Sequence, residues 1–242
     1  MRQLLDAEAL GILVEDGMTT YEQFTGKLAI EALSPSFLVF SRGFRKTQGQ
    51  LALRRGVNLV AAAVGLVVTA PLMALIALAI KLDSQGPVFF IHERAGYRGH
   101  PFRLVKFRTM RGQPELRDDS VWHRDDENRI TRVGYWLRKT RLDEVPQVFA
   151  VLRGDMSFIG PRPERPYFVD LLKNKIRYYD LRHYVKPGIT GWAQVMYPYG
   201  ASIEDAYHKL QYDLYYTKNI SLRLDLLILL KTIKVVAAGQ GR

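Results

Sequence analysis

The sequence predicts a mixed α/β, monotopic membrane protein: one re-entrant membrane helix attached to a mainly helical domain with short strands. Three observations lead to this fold class. Residues 56–80 form a long uncharged segment, and lysines and arginines crowd both of its flanks. The stretch 92–200 is dense in Gly, Pro, Arg and aromatic residues with only short periodic runs, and two helical patterns follow it.

The uncharged segment is long enough to enter a membrane. As a straight helix, residues 56–80 would reach about 37 Å, whereas a bilayer's hydrocarbon core is about 30 Å thick. A buried helix of a soluble domain would usually be shorter and would show a polar face. We therefore expect residues 51–84 to form a membrane helix.

The flanks of this helix favour entry and exit on one side of the membrane. The positive-inside rule predicts that one flank of a spanning helix is poor in Lys and Arg, yet both flanks are rich here. Pro71 lies near the middle and favours a kink. A helix that bends near Ala70-Pro71 and returns accounts for both features. The alternative is a kinked spanning helix, since proline is common in such helices.

Composition narrows the kinds of partner and chemistry. With 35 Lys+Arg against 24 Asp+Glu the chain carries a formal charge of +11, which favours an anionic partner such as nucleic acid, an acidic membrane surface or a phosphorylated substrate. The absence of cysteine excludes disulfides and thiolate metal sites. The five histidines lack zinc-ligand spacing, and no serine lies in a nucleophile-elbow context.

An Asp-Glu pair is the first candidate for chemistry. Because Pro146 is tolerated only in the first turn of a helix, a helix should begin close to Asp143. The free amides and dipole of such a helix start also attract phosphate. Asp143 and Glu144 diverge on a helix, so one could attack phosphorus while the other holds a metal that bridges phosphates. The alternative is a helix cap by Asp143, with Thr140 opening a capping box.

A second motif covers residues 154–164. Prolines on either side of Arg162 restrict the backbone and can hold its guanidinium out from a stiff loop, which suits the clamping of a diphosphate. A structural turn with a solvated arginine is the alternative interpretation.

Two further motifs combine glycine with basic or aromatic residues. Residues 94–110, which include Lys106, suit the approach of phosphate but match neither a Walker loop nor a dinucleotide fingerprint; the alternative is a solvated basic loop. Residues 186–194 contain a Pro-Gly turn and Trp192, which could stack on a base, lie at a membrane interface or be buried.

Two helices are predicted near the C-terminus, over residues 203–218 and 221–237. The second carries an apolar stripe with basic edges, consisting of Leu222, Leu226, Leu229, Leu230 and Ile233. Such a helix can lie in the membrane interface or pack on the rest of the domain, and the pattern leaves both open.

Taken in order, these segments resemble the bacterial sugar transferase family, the monotopic polyprenyl-phosphate phosphoglycosyl transferases of exopolysaccharide synthesis. The resemblance runs from about Arg54 to the C-terminus and includes the membrane helix and the motifs 106–110, 142–147, 154–164 and 186–194. Many members of the family carry Ser-Pro at the helix break, where this chain has Ala70-Pro71.

The resemblance implies three regions. Residues 1–50 resemble the end of a nucleotide-binding-like region, so that the chain would be a short form or a truncated one. Residues 51–84 would be the re-entrant membrane helix. Residues 85–242 would be the catalytic domain with C-terminal amphipathic helices, on the cytoplasmic face of the bacterial inner membrane.

The resemblance also implies a reaction. Asp143 would attack a UDP-sugar and release UMP, and polyprenyl (undecaprenyl) phosphate would then take the phosphosugar, which starts exopolysaccharide or related glycan assembly. Glu144 would hold Mg²⁺, and Lys106, Arg138 and Arg162 would lie around the phosphates.

The partners implied are the UDP-sugar, the polyprenyl-phosphate acceptor and membrane lipids, without nucleic acid; a homo-oligomer is compatible with the sequence. Two alternatives from other classes are a membrane-tethered module that binds polyanions and an inactive scaffold. No residue indicates which sugar is transferred.

Overall fold

The computed structural model describes residues 6, 9–11, 16–112, 129–198 and 200–237, so parts of the predicted regions 1–50 and 85–242 lie outside the described residues. Its α-helices are α1 (Gly17–Thr25), α2 (Pro35–Phe40), α3 (Gln48–Asp83), α4 (Arg132–Thr140), α5 (Val148–Arg153), α6 (Pro166–Lys173), α7 (Trp192–Met196), α8 (Ile203–Asn219) and α9 (Leu222–Ala237). Its 3₁₀ helices are Ile30–Ala32, Arg42–Phe44, Tyr97–Gly99, Leu142–Gln147 and Tyr179–Tyr184, and its strands are β1 (Phe89–Ala95), β2 (Pro101–Phe107), β3 (Ser157–Ile159) and β4 (Gly188–Thr190). The predicted combination of a mainly helical chain, short strands and one long apolar helix is confirmed.

Helix α3 has the length and composition of a membrane anchor. It begins with a capping box between Thr47 and Gln50 and continues across Pro71 for 36 residues. Its most apolar 18-residue window has a mean hydropathy of 2.5 and is only 11% buried. A core helix of a soluble protein would be mostly buried, so the exposed apolar surface supports the prediction that this helix enters a membrane.

Both ends of α3 contact the same part of the chain. Near its start, the Arg55 guanidinium donates hydrogen bonds to the carbonyls of Val151 (2.5 Å) and Leu152 (2.7 Å) on α5. At its end, the Asp83 carboxylate accepts a hydrogen bond from the Val133 amide at the start of α4 (3.0 Å). Since α4 and α5 are joined by a single 3₁₀ helix, the two ends of α3 meet one continuous structural unit.

Strands β1 and β2 form an antiparallel hairpin. The register pairs Phe90 with Lys106 and His92 with Leu104, so these four side chains share one face. Side chains on this face of β1 are half-buried, whereas their neighbours in sequence are exposed. The alternative interpretation of residues 94–110 as a solvated basic loop is therefore wrong, because most of this motif is hairpin.

Strands β3 and β4 are parallel, with Ser157 opposite Gly188 and Ile159 opposite Thr190. A Cβ atom on Gly188 would collide with the backbone of Gly160, so glycine is required for the two segments to approach this closely. The pairing brings together the motifs 154–164 and 186–194, whose contact was not predicted from the sequence.

The segment before α3 packs on the same domain. Leu28, Ile30 and Leu33 share a hydrophobic core with Phe168 and Leu210. The predicted boundary between two regions at residue 50 stays a prediction. Residues before this boundary form part of one hydrophobic core together with residues after it.

Trp192 is buried on this N-terminal segment. It is 6% exposed, and its Nε1 donates a hydrogen bond to the Gly26 carbonyl (2.8 Å). Of the three interpretations that the sequence left open, burial is the one observed.

Helices α8 and α9 match the two predicted C-terminal helices within two residues. On α9, Ile228 is fully buried, whereas the apolar stripe named above is 41–66% exposed. Helix α9 therefore packs on the domain through Ile228, which is one of the two predicted alternatives. The stripe itself stays exposed, and its place in a membrane interface stays a prediction.

Candidate active site

The Asp-Glu pair lies in a short 3₁₀ helix. After α4 ends at Thr140, the chain turns through Arg141 in the left-handed conformation (φ 59°) and enters the 3₁₀ helix Leu142–Gln147, which leads straight into α5. The prediction that a helix begins close to Asp143 is confirmed. The capping interpretation is wrong, because Arg141 occupies the cap position without a side-chain bond, and the Thr140 hydroxyl donates to the Trp136 carbonyl instead.

This 3₁₀ helix packs directly on the membrane helix. Leu142 and Val145 contact the apolar cluster that contains Met73, Ile76 and Ile80 of α3. The acid pair on the same short helix is largely buried, with Asp143 9% and Glu144 8% exposed. The two carboxylates are thus placed beside the apolar helix.

Glu144 lies under a group of basic side chains. Lys106 Nζ is 2.6 Å from Glu144 Oε1, Arg162 Nη2 is 3.4 Å away and Arg141 Nη1 is 3.7 Å away. Burial alone would raise the pKa of Glu144, but Lys106, Arg162 and Arg141 together hold that pKa well below its ordinary value. Glu144 is therefore ionised at neutral pH.

Asp143 has the opposite environment. Within the described part of the chain, its Oδ1 is buried and has no hydrogen-bond partner. Burial raises the pKa of Asp143 above its ordinary value, although Lys106 acts in the other direction. The lone pairs of this carboxylate oxygen are therefore not engaged by solvent or by a hydrogen bond, and the basic groups nearby can attract a phosphate.

The hairpin and the proline-flanked loop supply the basic groups. Lys106 lies on the inward face of β2, and Arg162 lies in the loop that follows β3. The structure thus brings together four of the predicted site residues: Lys106, Asp143, Glu144 and Arg162. Prolines flank Arg162 in this loop, as the sequence predicted. The Arg162 guanidinium contacts Glu144, so it is not a purely solvated arginine.

Arg138 lies half-buried in the last turn of α4, three residues before Arg141. Its predicted role at the substrate phosphates stays a prediction.

Arg141 is a basic residue of this region that was not among the site residues predicted from the sequence. Nothing in the local pattern indicates its left-handed backbone, which turns the chain from α4 into the 3₁₀ helix.

His92 is a second group that the sequence did not single out. It lies on the same face of the hairpin as Lys106, and in the described structure both of its ring nitrogens are buried without a hydrogen-bond partner. Burial, Arg94 and Lys106 lower its pKa to about 2, so the imidazole is neutral.

The two acids are compatible with a Mg²⁺ ion that substrate phosphates also bind. No cluster of three or more His, Cys, Asp or Glu able to hold a metal is found among the described residues. Mg²⁺, however, is usually bound by one or two carboxylates together with phosphates and water. All three basic contacts to Glu144 involve Oε1, so Oε2 of Glu144 is the oxygen that fits this role.

Fold and site together define a class: a protein with a membrane-type helix and, beside it, a buried acid pair next to basic side chains. This arrangement is compatible with chemistry on phosphate groups. Comparison with known families gives the more particular identification. The model of the family described as bacterial sugar transferase matches residues 49–239. The chain belongs to this membrane-associated family, and the resemblance seen in the sequence is confirmed.

Relatives carry names consistent with the family. The chain is 46% identical over 189 residues to the UDP-N-acetylgalactosamine-undecaprenyl-phosphate N-acetylgalactosaminephosphotransferase of Aeromonas hydrophila. The aligned residues cover 78% of this chain and 44% of the relative. It is 38% identical over 210 residues to the undecaprenyl-phosphate glucose phosphotransferase of Komagataeibacter xylinus, covering 85% of this chain and 40% of that protein. An uncharacterized sugar transferase of Bacillus subtilis (strain 168) is 38% identical over 191 residues, covering 79% of this chain and 90% of the relative. The chain thus spans less than half the length of the first two relatives.

Proposed function

We propose that this protein transfers a phosphosugar from a UDP-sugar to polyprenyl phosphate, with undecaprenyl phosphate as the acceptor, and so initiates the assembly of an exopolysaccharide or related glycan. The observation that carries the proposal is Asp143: a buried carboxylate oxygen without a hydrogen-bond partner in the described structure, beside Lys106 and Arg162 and next to an apolar helix. The relatives' names supply the classes of donor and acceptor.

In the first step, Asp143 Oδ1 attacks the phosphorus that bears the sugar. A bond forms between Oδ1 and this phosphorus, and the bond from phosphorus to the oxygen bridging the two phosphates breaks. UMP leaves with the electron pair, and the phosphosugar remains on the carboxylate. Arg162 and Lys106 lie where their charge can offset the charge that develops on the phosphate oxygens.

In the second step, a phosphate oxygen of the polyprenyl phosphate attacks the same phosphorus. The bond to Asp143 breaks, the carboxylate is regenerated, and the product is a polyprenyl diphosphate sugar. When Mg²⁺ is bound, it offsets phosphate charge and helps to align the reacting groups. Glu144 Oε2 is the oxygen that we assign to it, since Oε1 is engaged by Lys106.

Placement of the acid pair beside α3 supports a lipid-linked acceptor. The 3₁₀ helix that carries Asp143 packs its apolar residues on Met73, Ile76 and Ile80. A polyprenyl chain in the bilayer can therefore bring its phosphate to the carboxylate without leaving the membrane. A basic chain also suits an acceptor and a membrane surface that are both anionic.

The contacts of α3 support a re-entrant course rather than a spanning one. The start of α3 hydrogen-bonds to Val151 and its end to Val133, and both residues belong to the domain that carries the charged site residues. A charged domain lies in water on one side of the bilayer, so a helix that bends near Pro71 and returns to that side fits these contacts better than one that crosses the bilayer. The catalytic domain would then lie on the cytoplasmic face of the inner membrane.

The test is release of UMP from a panel of UDP-sugars, with undecaprenyl phosphate and Mg²⁺. We expect the wild-type chain to release UMP with at least one donor and Asp143→Asn to release none. Asp170→Asn is the matched control, because Asp170 is an exposed aspartate on α6 whose carboxylate the site does not use. Its rate should equal that of the wild type.

The outcomes separate the claims. No UMP release with any donor would contradict the proposed reaction and leave the inactive scaffold as the better description. UMP release that survives Asp143→Asn would retain the reaction and remove the proposed nucleophile.

A further inference from the structure

The loop that carries Arg162 is fixed by its carbonyl groups. Four consecutive carbonyls each accept a hydrogen bond from elsewhere in the chain: Pro161 from the Gly188 amide (2.9 Å), Arg162 from Arg182 Nη2 (3.0 Å), Pro163 from Arg94 Nη1 (3.3 Å) and Glu164 from the Ala95 amide (2.9 Å). The loop is thus tied to β4, to the Tyr179–Tyr184 helix and to the end of β1.

The sequence of the loop explains this mode of attachment. Pro161 and Pro163 have no N–H group, so the loop has few donors with which to hold itself, and its carbonyls are the groups left for anchoring. Their rings also fix φ on both sides of Arg162. The position of the Arg162 side chain therefore depends on where these carbonyls are held.

Arg182 is the anchor that acts on Arg162 itself. Its Nη2 is 2.8 Å from Asp213 Oδ2, its Nε donates to the same oxygen (3.0 Å), and its Nη1 donates to the Tyr179 hydroxyl (2.7 Å). Arg182 is 5% exposed, so its hydrogen-bonding groups are occupied and shielded. It cannot reach a substrate phosphate.

All three guanidinium nitrogens of Arg182 donate within the protein, to Asp213, to the Tyr179 hydroxyl and to the Arg162 carbonyl. These contacts leave Arg182 no role in the direct recognition of a sugar or nucleotide.

A buried ion pair is a poor source of net stability, because removing two charges from water offsets most of their attraction. The Arg182–Asp213 pair must therefore be accounted for in another way. We propose that Arg182, held by Asp213, is a positioning residue: its hydrogen bond to the Arg162 carbonyl sets the place from which the Arg162 guanidinium meets the substrate phosphates. This inference rests on the proposed function, in which Arg162 acts on those phosphates.

A double-mutant cycle on UMP release tests the proposal. Arg162→Ala removes the guanidinium but keeps the carbonyl to which Arg182 donates. We expect Arg162→Ala to lower kcat/KM about 100-fold and Arg182→Lys to lower it by about 10- to 100-fold, with kcat and KM changing in the same proportions in both variants. In the Arg162→Ala background, Arg182→Lys should change the rate less than about twofold, because the side chain it positions is gone.

A structural role would give a different result. If Arg182→Lys only weakens the fold, its effect on the rate is the same with and without Arg162, and the two losses multiply. That result would overturn the proposal. Asp213→Asn, which keeps the size of the side chain and removes its charge, is the second variant and should behave like Arg182→Lys.

A matched control comes from a second ion pair. Arg54 pairs with Asp225 at 3.0 Å and so joins α3 to α9. It also donates to the Tyr216 hydroxyl, which bonds the Ile159 carbonyl of β3 rather than any of the four carbonyls of the Arg162 loop. Any loss caused by Arg54→Lys should be equal in the wild-type and Arg162→Ala backgrounds. Thermal unfolding of each variant shows whether it is folded at the assay temperature.

The remaining outcomes identify which claim fails. A wild-type chain that releases no UMP contradicts the proposed function rather than the positioning role. An active chain in which Arg162→Ala has no effect removes the role of Arg162 and, with it, that of Arg182. If neither Arg182→Lys nor Asp213→Asn folds, the pair is required for the fold itself, and the positioning role is contradicted.

Discussion

Neutralising the two adjacent acids should change thermal stability in opposite directions. Asp143 has a buried oxygen without a partner in the described structure and a pKa raised by burial, so its ionised form destabilises the folded state. Glu144 has a lowered pKa because Lys106 and Arg162 surround it, so its ionised form stabilises the fold. Asp143→Asn should therefore raise Tm, and Glu144→Gln should lower it.

The magnitudes follow from burial and contacts. Removing one member of a buried ion pair costs about 3–5 kcal/mol, and the partly exposed Lys106 side chain (17%) places Glu144→Gln at the lower end, about 3 kcal/mol. Replacing the buried carboxylate by a neutral amide removes the cost of burying the charge but leaves a polar group in its place, so we expect a gain of only about 1 kcal/mol, the lower end of the usual penalty. At about 2–4 °C per kcal/mol for a chain of this size, we expect Tm to fall by about 6–12 °C for Glu144→Gln and to rise by about 2–4 °C for Asp143→Asn.

Thermal unfolding followed by intrinsic fluorescence, in one detergent at pH 7.5, measures both shifts. Asp170→Asn on the exposed face of α6 is the control and should leave Tm unchanged.

The direction in which the pKa of Asp143 is shifted also determines how its contribution to stability depends on pH. The penalty from Asp143 is present above its raised pKa and disappears as the pH falls through that value, so the gain in Asp143→Asn should shrink on acidification. Shifts of the same sign in Asp143→Asn and Glu144→Gln would refute this account of the site.

Three further predictions concern activity and topology. The rate of UMP release should fall as the pH drops through the raised pKa of Asp143, since attack requires the carboxylate. A rate that does not change until the pH reaches the ordinary pKa of aspartate would contradict this. Lys106→Met should lower kcat about 100-fold, because the amine that contacts Glu144 is lost beside the phosphates, whereas Lys106→Arg should retain more activity; equal losses would show that charge at this position does not matter. Since the chain has no cysteine, single cysteines at the exposed Gln48 and Gln85 can be labelled in sealed inverted vesicles; a re-entrant helix predicts that both react from the cytoplasmic side, and a spanning helix predicts that only one does.

Local sequence signals predicted the parts of the fold that depend on local physics. The uncharged run 56–80 predicted the long apolar helix, since length and hydropathy decide membrane entry. Pro146 predicted the helix start at the acid pair, because proline is excluded from helix interiors. The two C-terminal helices followed from their apolar spacing.

Long-range pairing decided what the sequence could not predict. Strand β2 was not foreseen, and its register with β1 is what places Lys106 on the inward face. Lys106 and Arg162 lie far apart in the chain and meet at Glu144 only through the hairpin and the β3 loop. Such contacts depend on tertiary packing, which neither periodicity nor residue spacing encodes.

The backbone of Arg141 and the anchors of the Arg162 loop were also beyond the sequence. A non-glycine residue with φ of 59° has no composition signal, and its left-handed turn exists because the flanking helices pack on α3. Likewise, nothing local to Arg182 indicates that it donates to the Arg162 carbonyl. Both features depend on tertiary contacts and not on the local sequence.

The central claim is that Asp143 becomes covalently bonded to the phosphosugar. The most direct measurement is the intact mass of the purified chain after incubation with the productive UDP-sugar and Mg²⁺ in the absence of polyprenyl phosphate, followed by peptide mapping. The account predicts an added mass of one phosphosugar on the peptide that contains Asp143, lost on addition of undecaprenyl phosphate and absent in Asp143→Asn. Transfer to the lipid without such an adduct, or an adduct on another residue, would contradict it.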